Sequence, residues 1–339
     1  MPFNEQQSAV VIRDINQNHP RIHKLTRSIL AFPSAKPVAR GLTRFAIQKL
    51  PFSRKTKERV YNLLAADAAS VRPIMCHVSL PGGGSLSLEL DLTDQLSRVW
   101  YYWGYKHYEW STVSLWSRLL NKATTVFDVG ANIGLYTLMA AARLHGRGEV
   151  HSFEPNPTVF RWLLRNTHRN GFTNAHLISV AACDFDGEAN FYLPQNGAWT
   201  NGSMIEGFTE QLQTLSIEAR RLDTYCSKAG VRRIDLIKID AEGAELRVLK
   251  GMGSLLQEWK PDIICEVLGG YEASLNEFFR GIPYRKFLIT QDGLQETSTL
   301  RPDQKFRDYY LSCAPDWPAS FEGLALRKAD HSAYARASL

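Results

Sequence analysis

Short apolar runs alternate with helical patterns throughout the chain after Thr124. The runs VFDV, EVHSF, AHLISVAAC, IDLIKI and DIICEVL have strand length and are bounded by turn residues. The segments between them, such as LYTLMAAARL and PTVFRWLLRNTHRN, carry apolar residues at helical spacing. Continuous apolar strands separated by helices are typical of a parallel sheet that helices cover on both faces. The sequence therefore predicts a doubly wound α/β domain over residues 124–320.

The residues before this domain follow different patterns. Segments 21–32, 39–50 and 55–69 have helical spacing, and we expect Pro33, Pro37 and Pro51 to end or offset these helices. From Met75 the chain alternates polar and apolar residues around the turn PGGG, which predicts a β-hairpin, and a further helix is expected over 111–120. We therefore predict a small helical N-terminal segment over 1–72, a hairpin and helical lead-in over 73–123, and a C-terminal tail over 321–339.

Basic charge is concentrated in the N-terminal segment. Residues 1–75 contain thirteen Lys and Arg against four Asp and Glu, whereas the net charge of the whole chain is +6, so the remainder is slightly acidic. Such a segment favours contact with an anionic lipid surface or an anionic glycan. Nucleic acid is disfavoured because the segment lacks interleaved aromatic residues for base stacking. We find neither a signal-peptide pattern nor a long apolar run, and therefore expect a soluble, cytoplasmic protein.

The cysteines and histidines do not form a recognisable metal pattern. The five cysteines are widely spaced, without a C-x-x-C pair or a Cys/His set at zinc-site spacing. We expect free thiols in the core and no metal site. Among the nine scattered histidines, His107 and His151 are the two of interest, and a structural role is favoured for both.

The segment VFDVGANIGLYT places a glycine-containing loop between a strand and a helix. In an open α/β sheet this is where nucleotides bind, because glycine lets the backbone approach the ligand closely. A dinucleotide site would require the pattern G-x-G-x-x-G. Here Gly130 and Gly134 enclose Asn132, which occupies the position of the middle glycine. The loop therefore disfavours a nicotinamide-dependent oxidoreductase.

Acidic residues stand at or just after the ends of three successive predicted strands. Asp128 would repel a pyrophosphate but suits a ligand with an ammonium group and no phosphate, such as the methionine end of S-adenosylmethionine. Glu154 stands where a carboxylate accepts hydrogen bonds from ribose hydroxyls, which supports an adenosine-type ligand. Asp184 is positioned to accept from an adenine amino group. The alternatives are a capping role for Asp128 and a turn role for Asp184 in DFDG.

The motifs DVGANIG, FEPNP and KIDAEGAELRVLKGM occur in this order, and together they resemble the FkbM family, a branch of the Rossmann-like S-adenosylmethionine-dependent methyltransferases. The resemblance runs from Leu88 to Ser312. It implies a seven-stranded sheet with a final antiparallel strand, S-adenosylmethionine as the methyl donor, and an oxygen acceptor on a sugar, glycan, lipid or polyketide. Carried over by position, the donor site consists of Asp128, Gly130, Asn132, Gly134 and Glu154, and the family's acidic signature falls on Asp240, Glu242 and Glu245.

Asp240 ends the strand IDLIKI, at the predicted carboxyl edge of the sheet. A carboxylate there can orient the acceptor hydroxyl, take its proton, or bind a divalent ion with a neighbour. We predict catalytic roles for Asp240 and Glu242. Glu245 is more simply explained by the dipole of the helix that it begins, and Glu266 has a weaker claim to the site by the same geometry. The aromatic residues around Glu109 either line the acceptor pocket or form a core cluster.

These residues predict an S-adenosylmethionine-dependent enzyme that O-methylates a sugar, a glycan, a lipid or another secondary metabolite. One alternative is a nucleic-acid methyltransferase, although the chain lacks the N-P-P-[YF] tetrapeptide that would hold a flipped base. The other alternative is a non-catalytic S-adenosylmethionine-binding interaction module, because a fold alone does not establish a function.

Overall fold

The structure is a computed structural model that describes residues 35–51, 53–64, 73–80, 83–104, 109–194, 202–208, 212–301 and 306–314. These residues form two compact units. The smaller unit contains the described residues within 35–76 and 90–104, and the larger unit contains those within 77–89 and 109–314. All of the carboxylates selected from the sequence lie in the larger unit.

The smaller unit is mainly helical. Its helices are α1 (Ala35–Lys49), α2 (Arg54–Leu64) and α3 (Gln95–Tyr102). Ile47, Tyr102 and Trp103 form its buried core, and the ring of Tyr61 packs edge to face against Tyr102 with centroids 5.5 Å apart. Edge-to-face aromatic packing therefore contributes to the core that the apolar faces of these short helices share.

Two of the predicted N-terminal helices are present as α1 and α2, and the one predicted over 21–32 lies outside the described residues. The prediction that Pro37 interrupts a helix is wrong, because Pro37 is the third residue of α1. A proline is tolerated in the first turn of a helix, where its missing N–H would have no intrahelical partner. Pro51 does separate α1 from α2, as predicted.

The described strands form three sheets. In chain order the strands are β1 (Ile74–Ser79), β2 (Ser85–Leu90), β3 (Thr125–Val129), β4 (Glu149–Phe153), β5 (Ala175–Ile178), β6 (Ala181–Ala182), β7 (Gly187–Pro194), β8 (Leu212–Arg220), β9 (Leu236–Ile239), β10 (Asp262–Glu266), β11 (Arg285–Thr290), β12 (Gly293–Thr297) and β13 (Asp308–Ser312). Strands β1 and β2 are the predicted hairpin and form a two-stranded sheet.

The largest sheet has eight strands in the order β12-β11-β13-β10-β9-β3-β4-β5. Strands β5, β4, β3, β9 and β10 are parallel, whereas β13, β11 and β12 are each antiparallel to their neighbours. The α/β prediction is confirmed. The sheet has eight strands rather than seven because the chain turns back tightly after β11, and β12 adds an edge strand.

Helices alternate with the strands of this sheet. They are α4 (Trp110–Leu119), α5 (Leu135–Leu144), α6 (Pro157–Arg169), α7 (Leu222–Ala229), α8 (Glu245–Gly251), α9 (Leu255–Trp259) and α10 (Glu272–Phe278). Ile237 of β9, Leu249 of α8 and Ile263 of β10 are fully buried in one core cluster. Because the parallel strands are covered in this way, their side chains are apolar on both faces, and a polar side chain within them is an exception.

The third sheet has the strand order β6-β8-β7. The sequence predicts one strand over AHLISVAAC, but the structure divides this segment between two sheets. The N–H of Glu154 donates to the carbonyl of Ile178 at 3.0 Å, and beyond this point the chain turns to pair β6 with β8. Phe191, Leu193 and Ile217 belong to a small separate core that accounts for the turn.

The thiols match the prediction. All five cysteines are free, and four of them are buried. Burial raises the pKa of the Cys265 thiol, which favours its unreactive protonated form. In the described part of the chain, no helix is both long and apolar enough to cross a bilayer.

Candidate active site

Carboxylates from five strands gather at one edge of the largest sheet. Strands β3, β4, β9 and β10 are parallel neighbours, so their carboxyl ends meet there. Asp128 lies in β3, Glu154 follows β4, Asp240 follows β9, and Glu266 is the last residue of β10. The antiparallel strand β13 begins at this edge and places Asp308 opposite Glu266.

The loop after β3, residues 130–134, has a backbone that favours glycine. Gly130, Asn132 and Gly134 have φ angles of 77°, 52° and 105°. The N–H of Gly130 donates to the carbonyl of Phe153 at 3.0 Å. A Cβ atom at Gly130 would lie 1.8 Å from the carbonyl oxygen of Asp240. Only glycine therefore allows this loop to lie directly against the backbone of the acidic segment after β9.

Asp128 is buried beneath this loop. Its Oδ2 accepts a hydrogen bond from the Thr137 hydroxyl at 2.6 Å. Its Oδ1 is also buried and has no hydrogen-bond partner among the described residues. Burial raises the pKa of Asp128, and the positive charge of Lys238 opposes this rise. A buried carboxylate oxygen without a partner is suited to a cationic or hydrogen-donating ligand.

Glu154 connects two loops at this edge. Its Oε2 accepts from the N–H of Asn132 at 3.0 Å, and its Oε1 accepts from the N–H of Asn156 at 2.9 Å. Burial raises the pKa of Glu154 to about 7. Each oxygen of a carboxylate has a second lone pair, so these backbone bonds leave capacity for ligand hydroxyls.

Lys238 is a site residue that the sequence reasoning missed. It is buried in β9, next to Asp128 on β3, and its Nζ donates to Oδ2 of Asp240 at 2.7 Å. The Nζ also lies 4.5 Å from the centroid of the Tyr136 ring. Burial alone would lower its pKa, but the charges of Asp240, Asp128 and Glu109 outweigh burial and raise it. A lysine inside the apolar run IDLIKI was the available signal, because a buried cation requires an anionic partner.

The turn after β9 holds Glu242 and Glu245 beside Asp240. Glu242 has a positive φ of 49°, which is uncommon for a residue other than glycine. Burial and the charge of Asp240 raise its pKa well above the usual range. Oε1 of Glu245 accepts from the N–H of Ala241 at 3.0 Å and of Gly243 at 3.1 Å. Glu245 therefore stabilises the turn that presents Asp240 and Glu242.

Three further carboxylates complete the group. Glu109, whose pKa burial raises to about 7, accepts from the Tyr136 hydroxyl at 2.8 Å. Asp308 accepts from the Thr112 hydroxyl at 2.5 Å. Burial and the charge of Asp240 raise the pKa of Glu266.

We call the following residues the carboxylate cluster: Glu109, Asp240, Glu242, Glu245, Glu266 and Asp308. All except Glu245 are partly exposed. Water can therefore reach these five carboxylates, beside the loop after β3, and we call the partly exposed surface that they form the recess.

The remaining predicted residues lie elsewhere or outside the described part of the chain. Asp184 follows β6, and it accepts a hydrogen bond from the thiol of Cys183 and one from Arg221 on its backbone carbonyl. Its contacts are thus with neighbouring chain segments and not with the loop after β3. His151 lies in the core of β4, and His107 falls outside the described residues.

Residues 128–283 match a sequence family described as the Methyltransferase FkbM domain. The chain contains an FkbM-family methyltransferase domain. The resemblance drawn from the sequence motifs is thereby confirmed, and S-adenosylmethionine is the methyl donor for domains of this class. The FkbM domain begins at Asp128 and includes the loop after β3, Glu154 and the turn that carries Asp240.

The chain is similar to methyltransferases from several organisms. It is 30% identical over 140 residues to the 2-O-methyltransferase NoeI of Sinorhizobium fredii, which covers 37% of this chain and 56% of that protein. It is 31% identical over 150 residues to the hexuronic acid methyltransferase AglP of Haloferax volcanii. This alignment covers 43% of this chain and 57% of AglP. The chain thus spans little more than half the length of these relatives. The crystal structure of methyltransferase FkbM from Methylobacillus flagellatus overlaps 56% of this chain and 43% of its own, at 20% identity and a TM-score of 0.37.

The buried charge of Lys238 makes a prediction about stability. We expect Lys238→Met to lower the free energy of unfolding by about 3 kcal/mol at pH 8, because it leaves the buried Asp128 without a cation. This is the lower end of the range for a broken buried ion pair, since the direct partner, Asp240, is partly exposed. The loss should be smaller at pH 5.5, since protonation below the raised pKa values of Glu109 and Glu242 removes the charges that need the cation. Urea unfolding at both pH values measures this difference.

The exposed Lys250 provides the control. Lys250→Met should leave the free energy of unfolding within about 0.5 kcal/mol of the wild type at both pH values. A Lys238→Met loss that is the same at pH 5.5 and pH 8 would contradict the electrostatic explanation.

Proposed function

We propose that this protein is an S-adenosylmethionine-dependent methyltransferase that methylates a hydroxyl group of a sugar, glycan, lipid or other secondary metabolite. The observation that carries the proposal is the direct contact between the loop after β3 and the backbone of Asp240, which brings a donor site and an acidic recess together. The names of NoeI and AglP, a 2-O-methyltransferase and a hexuronic acid methyltransferase, favour an oxygen acceptor on a carbohydrate.

The residues at the loop after β3 fit the proposed donor. S-adenosylmethionine supplies an electrophilic methyl group on a sulfonium when it is bound. Oδ1 of Asp128 is buried without a partner, which suits the amino group of the methionine end. Glu154 keeps lone pairs free for the ribose hydroxyls. For Asp184 we propose a hydrogen bond to the adenine amino group, beside the Phe185 ring, which is 37% exposed and offers a surface for stacking.

In the proposed reaction the carboxylate cluster positions the acceptor hydroxyl. As the oxygen forms its bond to the methyl group, the methyl–sulfur bond breaks with its electron pair going to sulfur. Asp240 takes the hydroxyl proton, and Lys238 holds its carboxylate in place through the 2.7 Å bond. Glu242, whose raised pKa favours the protonated acid, donates a hydrogen bond to another oxygen of the acceptor. Placement supplies much of the rate in such reactions, roughly 7–11 kcal/mol in favourable cases.

The acidic lining of the recess bears on the alternatives. Nucleic acids are bound chiefly through cationic contacts to phosphates, and a recess lined by five partly exposed carboxylates disfavours them. Neutral polyols, by contrast, make hydrogen bonds with carboxylates and carboxylic acids equally well. A non-catalytic module would bind S-adenosylmethionine without transferring its methyl group. Calorimetry with S-adenosylmethionine, followed by labelled-methyl transfer to a panel of sugars, glycans and lipids, separates the module from the enzyme.

Replacement of Glu154 tests the donor site. Glu154→Ala removes charge-assisted hydrogen bonds worth roughly 1.5–3 kcal/mol, so we expect the affinity for S-adenosylmethionine to fall at least tenfold while the protein stays folded. Calorimetric titration gives the affinity, and thermal unfolding reports the fold. Glu188→Ala, at an exposed glutamate of β7, should bind the donor like the wild type. An unchanged affinity in folded Glu154→Ala would refute this placement of the donor.

Replacement of Asp240 tests the acceptor side. Asp240→Asn keeps the size of the side chain but cannot take a proton, so we expect donor affinity within a few-fold of wild type and a turnover loss of about 10²–10⁴. The measurement is single-turnover methyl transfer at saturating donor, with an acceptor found in the panel. Asp292→Asn, in the exposed turn before β12, is the control. A rate within threefold of the wild type would exclude a catalytic role for Asp240. Its role would then be limited to the ion pair with Lys238.

Helix α1 suggests a second contact of the protein, with an anionic lipid surface. The helix contains four basic residues and no acidic one. Val38, Leu42 and Phe45, which are four and three residues apart, are 62%, 62% and 56% exposed. A helix with cationic residues and an exposed apolar face binds at the surface of an anionic bilayer. The exposed apolar face favours a lipid surface over an anionic glycan. A glycan would contact only the basic side chains, whereas a bilayer would also bury the apolar ones.

Vesicle sedimentation tests this contact. The full-length protein should sediment with vesicles that contain phosphatidylserine and much less with neutral phosphatidylcholine vesicles. Leu42→Asp should reduce the bound fraction at least threefold, since it places a charge on the apolar face. Leu164→Asp, at an exposed leucine of α6, is the matched control. Unreduced binding by Leu42→Asp would indicate a purely electrostatic contact, as expected for an anionic glycan.

A further inference from the structure

Two histidines and a glutamate meet on strands β4 and β5, away from the carboxylate cluster. Glu149 is the first residue of β4, whereas Glu154 of the candidate site follows its last residue. His151 is two residues after Glu149 and therefore points to the same face of the sheet. His176 on β5 pairs directly with His151. Parallel pairing brings together residues that the sequence separates, which is why no metal-site spacing is visible in the sequence.

The side-chain atoms of these residues converge. Oε1 of Glu149 lies 3.2 Å from Nε2 of His151, and Oε2 lies 2.9 Å from Nε2 of His176. One ligand atom from each residue lies within 4.8 Å of the others. Three atoms bound to one zinc ion at about 2.0–2.2 Å would be roughly 3.3 Å apart in tetrahedral geometry. The rings of His151 and His176 are stacked, with centroids 4.6 Å apart and 16° between their planes. Rotation of the half-exposed His176 ring is therefore required before both Nε2 atoms can point at one ion.

The surroundings of His151 resemble those of a metal ligand. The residue is 3% exposed, and its ring packs against Phe127 with centroids 5.0 Å apart. Its second ring nitrogen, Nδ1, lies 2.7 Å from the hydroxyl of Tyr225. Metal-binding histidines commonly make such a bond with the nitrogen that does not bind the metal, because the bond fixes the ring orientation.

We propose that Glu149, His151 and His176 bind one divalent transition-metal ion, with zinc as the expected ion and water in the open position. Two imidazoles and a carboxylate suit zinc, nickel or copper and not magnesium or calcium, which prefer oxygen ligands. The side chains of Glu149 and His176 are 43% and 49% exposed, so the ion can enter from solvent. The bound ion would join β4 to β5 at a distance from the chemistry and stabilise the sheet.

The alternative is a hydrogen-bonded trio that binds no metal. Titration of the chelator-treated protein with zinc chloride separates the two. We expect one zinc equivalent per chain, a melting temperature raised by several degrees, and cobalt(II) absorption typical of four-coordinate geometry. His176→Ala should weaken zinc binding at least tenfold and abolish the rise in melting temperature. Because His176 is half exposed, this variant should fold, and circular dichroism checks that it does.

His168→Ala is the matched control, because His168 is an exposed histidine at the end of α6. It should bind zinc as the wild type does. Equal zinc affinity in wild type and His176→Ala would overturn the proposal, as would the absence of any zinc effect on the melting temperature of the wild type. None of these measurements uses methyl transfer, so the outcome is independent of the proposed activity.

Discussion

The ion pair between the buried Lys238 and the partly exposed Asp240 is the interaction on which the carboxyl edge of the sheet depends. Carboxylates from five strands meet there, and like charges at this density repel one another. Two opposite unit charges 4 Å apart attract by about 4 kcal/mol at an effective dielectric constant of 20, so one central cation offsets much of this repulsion. The Tyr136 ring over the ammonium group adds a further favourable contact without requiring another charge. The acidic turn after β9 can therefore pack against the glycine loop.

The edge is less negative than its residue count suggests. Burial raises the pKa of Glu109, Glu154 and Glu245 to about 7, so near neutral pH each is partly protonated. Of these three residues, Glu109 belongs to the recess and is partly exposed, so it can offer a hydrogen-bond donor as well as an acceptor there. A ligand with several hydroxyl groups needs both, because each hydroxyl donates one hydrogen bond and accepts others. A partly protonated Glu109 is compatible with the proposed class of acceptor.

The sequence predicted those features that depend on neighbouring residues. The α/β class followed from apolar runs and helical spacing. The glycine loop, Glu154 and Asp240 could be located because each directly follows a strand, and Asp128 because it lies next to the end of one. Features that depend on strand order were not visible. Asp308 is far from Glu266 in the chain but lies opposite it because β13 is antiparallel to β10. Lys238 required knowledge that its strand neighbour carries Asp128. The division of AHLISVAAC between two sheets likewise depends on a distant partner, β8.

The contact between Gly130 and the carbonyl of Asp240 has a consequence for how this domain can diversify. A Cβ atom at Gly130 would lie 1.8 Å from that oxygen, so the loop after β3 and the turn after β9 are in direct backbone contact. A shift of one backbone therefore requires a shift of the other. Relatives of this chain should therefore keep glycine at position 130 whichever residue stands at position 240, because the contact is with the backbone of residue 240. Selectivity for new acceptors would then arise at the outer walls of the recess, where side chains can change size while the junction of the two loops stays constant.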